Sequence, residues 1–373
     1  MTWLESGWLA LGSGLGHPRS AWWPSPRPPR SEGVLHGASA GEVKAALALR
    51  PLLPGSDWTV STGTRAGLAA GASGRLPRDV PAAVRAFFDA VRPERVLLVE
   101  GDLWPALLRE AERRQVPVGL VGARLSPRSL RWWSRAPASA RSVFGRVSAV
   151  SAASPADAER LEAVGVPGDR LRVGGWIKWP SPPSTDDVEQ RRRELPAGVG
   201  ALVVAGAVHP GELRMLADAF SRSGLPPSTL RWLVAPRHAR ALAAVSREAR
   251  AVLGSQVTVE RRFGLLRSWY GVADLAFVGG GAGGRGVHDL LEPLAVGRRA
   301  FHFADRGDPG GASAVLSAEG LAPRLDGPDP AAVRVSEGAS QRDPSALLAR
   351  FDGRAGSVAW LAERGVLPSV RPA

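Results

Sequence analysis

One short loop near the start of the chain holds a residue that could do acid–base chemistry. Residues 36–43 read HGASAGEV, so a run of small residues delivers Glu42 to the start of a helix-forming segment. A carboxylate in that place stabilises the first turn of a helix, because the free backbone N–H groups and the helix dipole attract negative charge. It can equally act as a general base that takes a proton from a hydroxyl nucleophile. The loop by itself leaves both roles open.

Four of the six histidines, namely His36, His209, His238 and His288, come just after a predicted strand. One such histidine is more often a structural hydrogen-bonding group than a catalyst. The motif APRH adds Arg237 beside His238, and this pair can donate charge-assisted hydrogen bonds to a phosphate that leaves during a reaction. A strand that ends in proline and is followed by exposed bases is the alternative.

A glycine-rich run, GGGAGG at 279–284, also follows a predicted strand. It matches G-x-G-x-x-G, and Asp305 lies about 20 residues further on, as in dinucleotide-binding folds. Such fingerprints open a domain, whereas several strand–helix units precede this one, so a loop beside a nucleotide monophosphate or a sugar fits better. Downstream, Asp289 and Glu292 lie three residues apart at a helix start. They can accept hydrogen bonds from ribose hydroxyls or cap the helix.

The composition of the chain excludes some kinds of chemistry and favours some partners. The chain has no cysteine, which excludes disulfides, thiolate catalysis and cysteine-bound metal. No close set of histidines and carboxylates has the helical spacing of metal ligands, so we expect no metal. The net charge is +13, carried almost wholly by arginine. That surplus favours anionic partners, with a solvated basic surface as the alternative.

The elements that must position these residues alternate along the chain. Apolar strand candidates and amphipathic helical patterns follow one another twice, which predicts parallel sheets covered by helices on both faces. The strand candidates of the first half are residues 33–37, 58–62, 95–100, 116–122, 147–154 and 171–175. Those of the second half are residues 201–207 and 231–237 and the runs VTVE, DLAFVGG and RAFHFAD. In such sheets ligands bind beyond the carboxyl ends of the strands, where the loops described above lie.

The domain organisation follows from breaks in this pattern. We expect a Rossmann-like acceptor domain at 33–175, a proline-rich and charged linker at 176–199, and a Rossmann-like donor domain at 200–373, whose C-terminal helix can return to the first domain. Residues 1–32 form a leader with tryptophans at 3, 8, 22 and 23 among arginines. This mixture suits a membrane interface, and an unstructured leader is the alternative. No stretch reaches the roughly 20 apolar residues that span a bilayer.

Six loops, in this order, resemble those of the lipopolysaccharide Kdo (3-deoxy-D-manno-octulosonic acid) transferases. The family carries an H-A-A-S-V-G-E-like loop, E-T-E-L-W-P, N-A-R-L-S, S-T-H-x-G-E-E, A-P-R-H and G-G-H-N-x-x-E-P. This chain has HGASAGE, EGDLWP, GARLS, AVHPGE, APRH and GVHDLLEP at the corresponding places, from about residue 33 to about residue 300. The resemblance implies a GT-B fold, with two Rossmann-like domains facing a central cleft.

The resemblance also implies an activity and the residues that carry it. It implies transfer of Kdo from CMP-Kdo to a lipid A precursor by an inverting reaction without a metal or other cofactor. Glu42 would be the catalytic base. The nucleotide side would be formed by Arg237, His238, Gly264, Gly281, His288, Asp289 and Glu292. The acceptor and Kdo pocket would be formed by Ser39, Gly41, Thr64, Glu100, Asp102, Arg124, Ser126, Lys178 and His209.

Several positions depart from the family pattern. The serine and threonine before the histidine of the fourth loop are Ala207 and Val208 here, the asparagine of the last loop is Asp289, and the G-E-L segment near the nucleotide is Gly264–Leu265–Leu266. Two other readings therefore stay open: a GT-B transferase or epimerase that uses another nucleotide sugar, and a non-catalytic member that binds lipid or nucleotide.

If the acceptor is an anionic glycolipid, the net positive charge of the chain has a specific role. We then expect peripheral or monotopic attachment to the cytoplasmic face of the inner membrane, through the leader and the basic surface. Nucleic-acid binding is not expected, because the basic residues are dispersed and no basic motif is interleaved with aromatic residues.

Overall fold

The computed structural model describes residues 31–368, apart from 102, 181, 196–199, 255, 284–285, 309 and 327–348. The chain forms two compact units, one of residues 1–179 and 351–373 and the other of residues 180–350. The leader at 1–32, except for Ser31 and Glu32, lies outside the described residues. In the part of the chain that is described, no helix is long and apolar enough to cross a membrane.

The first unit is built on a seven-stranded parallel sheet. Its strands are β1 (Gly33–His36), β2 (Trp58–Thr62), β3 (Gly74–Arg75), β4 (Arg95–Val99), β5 (Val118–Ala123), β6 (Ala149–Ala152) and β7 (Leu171–Val173). They lie in the order β3-β2-β1-β4-β5-β6-β7. Neighbouring residues of β1 enter different cores, Val34 on one face and Leu35 on the other. The sheet is therefore covered on both faces, which explains why its strands are apolar throughout instead of alternating.

Within the described residues, eight α-helices belong to this unit. They are α1 (Ala40–Leu49), α2 (Arg65–Ala69), α3 (Pro81–Val91), α4 (Pro105–Arg113), α5 (Pro127–Trp133), α6 (Pro137–Phe144), α7 (Pro155–Ala163) and, near the C-terminus, α14 (Arg354–Glu363). Five consecutive helices, α3 to α7, begin with proline, whose fixed φ and missing N–H suit the first helical position. Helix α14 packs through Leu361 against Gly119 of β5, and Trp360 donates a hydrogen bond to Val150 O.

The second unit has a five-stranded parallel sheet. Its strands are β8 (Leu202–Val208), β9 (Arg231–Pro236), β10 (Val257–Val259), β11 (Leu275–Val278) and β12 (Ala300–Phe301), in the order β10-β9-β8-β11-β12. Its helices are α8 (Thr185–Arg193), α9 (Glu212–Arg222), α10 (Leu242–Val252), α11 (Leu266–Val272), α12 (Leu291–Leu294) and α13 (Ala312–Ala318). The core of this unit centres on Phe220, Trp232 and Phe277, which are fully buried.

The predicted class, two parallel α/β sheets, is confirmed, and all of the predicted strands are present. The sequence pattern did not show β3, which has only two residues, nor α5 and α6, whose short proline-started turns carry little periodicity. The segment 176–199 is divided in the structure. Trp176 and Ile177 are buried in the first unit, whereas α8 belongs to the second.

Candidate functional site

Glu42 lies at the carboxyl edge of the first sheet. β1 ends at His36, the loop turns within three residues, and α1 begins at Ala40. Gly37 makes this turn possible. A side chain there would meet the backbone of Glu42 and Val43 at 2.7 Å, well inside van der Waals contact, so the loop packs directly on the first turn of the helix. The small residues of the HGASAGE loop therefore have a steric reason.

Both oxygens of the Glu42 carboxylate accept hydrogen bonds. The Ala38 N–H donates to Oε2 at 2.7 Å, and the Ser39 hydroxyl donates to Oε1 at 2.9 Å. Ser39 in turn is the N-cap of α1 and accepts from the Glu42 N–H at 3.3 Å. An ionised carboxylate has about four acceptor positions, so these two contacts orient the group and leave it able to take a proton. Glu42 is half-buried, which leaves it accessible from the sheet edge.

The same serine–carboxylate arrangement occurs at two other helix starts. Ser154 donates to Asp157 at 2.6 Å at the start of α7, and Ser184 donates to Asp187 at 2.6 Å at the start of α8. Both are helix caps of the serine-x-x-acid type. The hydrogen bonds of Glu42 alone therefore fit a cap. A catalytic role depends on its place at the sheet edge and on what lies beside it.

Lys178 lies against Gly41, the residue before Glu42, and a close packing contact at Ile177 positions it. A side chain on Gly122, whose φ is +57°, would meet Ile177 at 2.4 Å. Ile177 thus lies directly on the end of β5, and the next residue extends along the sheet edge. The Nζ of Lys178 is 2.8 Å from the position that a Cβ of Gly41 would take, at the first turn of α1. The structure therefore joins Ser39, Gly41 and Lys178 around Glu42.

The loop after β2 borders the same turn. The Thr62 hydroxyl donates to Ala38 O at 3.2 Å, and a Cβ on Gly63 would lie 4.0 Å from that oxygen. Thr64 is the N-cap of α2 and accepts from the Gly67 N–H at 3.0 Å. Its hydroxyl is thus occupied in starting a helix next to the Glu42 loop.

Glu100 and Arg124 meet one strand further along the sheet. Glu100 has a φ of +63°, a left-handed conformation that costs a non-glycine residue about 1 kcal/mol or more. The Arg124 N–H donates to Glu100 O at 3.0 Å. A Cβ on Gly101 would lie only 2.7 Å from Arg124 O, so a side chain does not fit at this position. Strain of this kind is concentrated at functional sites. Ser126 caps α5 through the Ser129 N–H at 3.1 Å. Asp102 lies outside the described residues.

Three histidines meet at the carboxyl edge of the second sheet. His209 follows β8, His238 follows β9 and His288 follows β11. His209 Nε2 and His288 Nε2 are 2.9 Å apart, so one ring donates to the other, and the ring centroids of His209 and His238 are 5.8 Å apart. His209, which we expected in the acceptor pocket, thus lies with the residues expected on the nucleotide side.

His288 favours its neutral state. Burial lowers the pKa of His288 to about 4, and the positive charge of Arg237 and the neighbouring His209 act in the same direction. Arg237 and His238 are exposed, and the Arg237 N–H donates to Val208 O at 3.0 Å, which ties the APRH loop to the end of β8. A phosphate at this edge would meet the Arg237 cation and the neutral ring of His288.

A buried glutamate holds two of these loops together. Glu212 is 3% exposed, and it accepts from the His209 N–H at 2.8 Å and from the Gly280 N–H at 2.7 Å. Gly279 packs so tightly that a Cβ would lie 2.5 Å from the carboxylate. The glycine-rich run after β11 is therefore positioned by Glu212.

The remaining nucleotide-side candidates are spread along the neighbouring loops. Gly281 packs beneath Phe303 O, at 2.3 Å from a hypothetical Cβ, and Asp289 accepts from the Leu291 N–H at 3.0 Å at the start of α12. Glu292 pairs with Arg267 at 3.4 Å. Gly264 is exposed with a φ of +88°. Across the described ranges, no group of three or more histidines and carboxylates is arranged to hold a metal.

Sequence reasoning missed two residues that position the site. Glu212 stands inside the AVHPGE motif but was not singled out. Asp79 is 5% exposed and accepts from the Ala106 N–H at 3.0 Å and the Leu107 N–H at 2.9 Å, so it caps α4 behind the EGDLWP loop. Asp79 lies two residues before Pro81, where α3 begins, so nothing in its local sequence indicates a bond to α4. Only the buried state of both carboxylates reveals the longer-range role.

The first half of the chain matches a known family model. Residues 16–180 match the model described as 3-deoxy-D-manno-octulosonic-acid transferase (kdotransferase). The 3-deoxy-D-manno-octulosonic acid transferase of Bordetella pertussis is 30% identical over 351 residues, which cover 81% of this chain and 79% of that protein. The enzyme of the same description from Haemophilus influenzae is 28% identical over 319 residues, covering 74% and 73%.

A solved structure shows the likeness of fold. The UDP-GlcNAc 2-epimerase from Neisseria meningitidis, crystallised with UDP-GlcNAc, superposes with a TM-score of 0.60 at 13% identity. The match covers 90% of this chain and 99% of that one. At this identity the likeness concerns the fold alone, and it confirms the predicted GT-B class.

Proposed function

Because the chain belongs to the 3-deoxy-D-manno-octulosonic acid (Kdo) transferase family, we propose that it transfers Kdo from CMP-Kdo to a lipid A precursor. Family membership makes it a glycosyltransferase of lipopolysaccharide biosynthesis. The donor, the acceptor, inversion at the transferred carbon and independence of metal are the proposed part. The observation that carries the proposal is the oriented carboxylate of Glu42 in the HGASAGE loop at the sheet edge.

Glu42 acts as the general base in this reaction. It takes the proton of an acceptor hydroxyl while that oxygen bonds to the anomeric carbon of Kdo, and the bond from that carbon to the CMP phosphate oxygen breaks. Hydrogen bonds from Ala38 and Ser39 orient the carboxylate and leave acceptor positions free for the proton. The proton is transferred late, when the attacking hydroxyl has become acidic. Lys178, against Gly41, places a positive charge near the site, where the carboxylate of Kdo can bind.

The leaving nucleotide is stabilised by the second unit. Arg237 supplies positive charge for the developing phosphate, and His238 and the N–H groups of the glycine-rich loop supply hydrogen bonds. The neutral state of His288 suits this role, because a neutral ring donates a hydrogen bond without repelling Arg237. No metal is required in this scheme, since protein donors neutralise the phosphate.

The proposed place of action is the cytoplasmic face of the inner membrane. A lipid A precursor remains in the leaflet, so the enzyme must meet it at the membrane surface, and the net charge of +13 favours an anionic leaflet. No nucleic-acid partner is proposed.

The test is direct assay of transfer. The chain is incubated with a lipid A precursor and with CMP-Kdo formed in situ, and the products are weighed by mass spectrometry. We expect the acceptor to gain the mass of one or more Kdo residues. In parallel, CMP should raise the unfolding temperature more than UDP does, since a ligand that binds the native state stabilises it. Absence of the product together with stabilisation by UDP alone would overturn the proposal in favour of another nucleotide sugar.

A further inference from the structure

One stretch of the chain concentrates positive charge. From residue 113 to residue 156 there are eight arginines and no aspartate or glutamate, while the whole chain has a net charge of +13. Because this stretch contains no acid, neutralisation of its arginines depends on partners from elsewhere in the fold. The structure shows which of them find such partners.

The arginines at the two ends of the stretch are paired. Arg113 and Arg114 bind Glu110 at 2.6 Å, and Arg146 binds Glu112 at 2.8 Å. The central arginines differ: Arg124, Arg128, Arg131, Arg135 and Arg141 are all exposed. Among the described residues, no ion pair is found for Arg128, Arg131 or Arg135. The unneutralised charge is therefore concentrated on the segment that contains α5.

Three of these arginines lie on α5 or just after it. Arg128 and Arg131 are three residues apart on α5, which places them on the same face of the helix, and Arg135 follows two residues after the helix ends at Trp133. The other side packs inward through Trp133, which is 7% exposed and contacts the Phe144 ring at a centroid distance of 5.3 Å. We call Arg128, Arg131 and Arg135 the arginine face. Trp132 lies half-buried at its border, and such a tryptophan beside arginines suits a membrane interface.

The arginine face begins at the edge where Glu42 lies. β5 ends at Ala123 and α5 starts four residues later, at the carboxyl end of the strand. In the strand order β1-β4-β5, that end is two strands from β1, or about 10 Å at the usual strand spacing. A flat anionic surface against α5 would thus lie close to the loop that carries Glu42.

We propose that the arginine face docks the enzyme on an anionic bilayer, with lipid phosphates as the partner. The inference deepens the proposed function, because it names the surface that brings a lipid-linked acceptor to Glu42. Charge complementarity supports the choice: three exposed arginines that form no ion pair with the described residues lie within eight positions of the chain, and a bilayer presents many phosphates in one plane.

Vesicle sedimentation tests the proposal without donor or acceptor. The triple variant Arg128→Gln, Arg131→Gln, Arg135→Gln is compared with the full chain on vesicles of phosphatidylcholine alone and of an equal mixture with phosphatidylglycerol. Each charge near an anionic surface contributes about fivefold to partitioning, so the triple variant should bind the mixed vesicles about 100-fold more weakly. The matched control is Arg222→Gln, Arg247→Gln, Arg250→Gln, which removes three exposed arginines from the second unit.

Each outcome decides the proposal. A large loss for the first variant and a small loss for the control, with unchanged unfolding temperatures, supports it. Equal binding of the first variant and the wild type, or equal losses for the two variants, overturns it. Transfer to an acceptor in neutral detergent micelles should be unchanged in the first variant. A loss of transfer there shows that the arginines bind the acceptor itself and also overturns the proposal. If no transfer occurs even in the wild type, the vesicle result still stands, so the two proposals fail separately.

Discussion

The replacement Glu42→Gln separates the two roles that the carboxylate could have. Glutamine keeps the shape of the side chain and one acceptor oxygen, but it cannot take a proton from the acceptor hydroxyl. If Glu42 is the general base, kcat should fall by about 10²- to 10⁴-fold, the usual contribution of such a group. This loss corresponds to about 3–5 kcal/mol in the activation barrier.

The structural cost of the same change is smaller. The carboxylate accepts two hydrogen bonds, from Ala38 and Ser39, and glutamine can keep one of them. The lost charge-assisted bond and the lost attraction to the helix dipole together cost about 2 kcal/mol. A domain with at least about 5 kcal/mol of stability remains more than about 99% folded after this loss. Unfolding therefore cannot account for the expected fall in kcat.

The chain supplies a matched control for capping alone. Ser184 and Asp187 form the same serine–carboxylate cap at the start of α8, which carries none of the candidate site residues, so Asp187→Asn loses a comparable cap without touching them. Kdo transfer is measured by mass spectrometry for both variants, and the free energy of unfolding by chemical denaturation. Asp187→Asn should lose about 1 kcal/mol of stability and keep its kcat. A kcat of Glu42→Gln within tenfold of the wild type would show that Glu42 is only a cap.

Three further changes test the framework of the site. His288 has a pKa of about 4 in the folded protein, below the ordinary 6.5. The stability that comes with its neutral state is therefore fully present above pH 6.5 and is lost as the pH falls towards 4. The free energy of unfolding falls by at most about 1.4 kcal/mol per pH unit in this range. Chemical denaturation of His288→Gln should therefore show a weaker fall with pH than the wild type, and parallel profiles would contradict the shift. Glu212→Ala leaves two buried N–H groups without an acceptor and should lower the free energy of unfolding by about 2–4 kcal/mol and weaken CMP binding; calorimetric titration with unchanged CMP affinity would argue against a role in shaping the loop. Gly122→Ala meets Ile177 and a left-handed φ, so it should cost about 2–4 kcal/mol in thermal or denaturant unfolding. In the double variant Gly122→Ala, Ile177→Ala, the loss of unfolding free energy should differ from the sum of the two single losses, because the two changes share one contact. A strictly additive loss would contradict this contact.

The local sequence pattern was enough to predict much of the fold. The apolar runs around Val34 and Val203 and the helical pattern after Glu42 depend on neighbours within a few residues, so the strands, the longer helices of the two sheets and the parallel class followed from the sequence. The short elements did not. A two-residue strand such as β3 exists because it pairs with Ser61 and Thr62 of β2, and nothing in its own residues shows this.

The candidate site, too, was predictable from the sequence only in part. Strand-end position was enough to single out Glu42, Arg237 and the histidines, because the ends of parallel strands meet at one edge. The grouping of His209 with His288 was not expected, since it depends on how the ends of β8 and β11 lie next to each other in the sheet.

By itself, the sequence determined the order of strands and helices, the loops that carry polar chemistry and their resemblance to a family, because these are properties of short segments. Only the tertiary structure decided that Lys178 lies against Gly41, that Glu212 joins two loops, and that Arg128 and Arg131 of α5 form no ion pair with the described residues. These relations join residues far apart in the chain. They arise from close packing and from the need of each buried polar group for a partner, and such constraints exist only once the chain is folded.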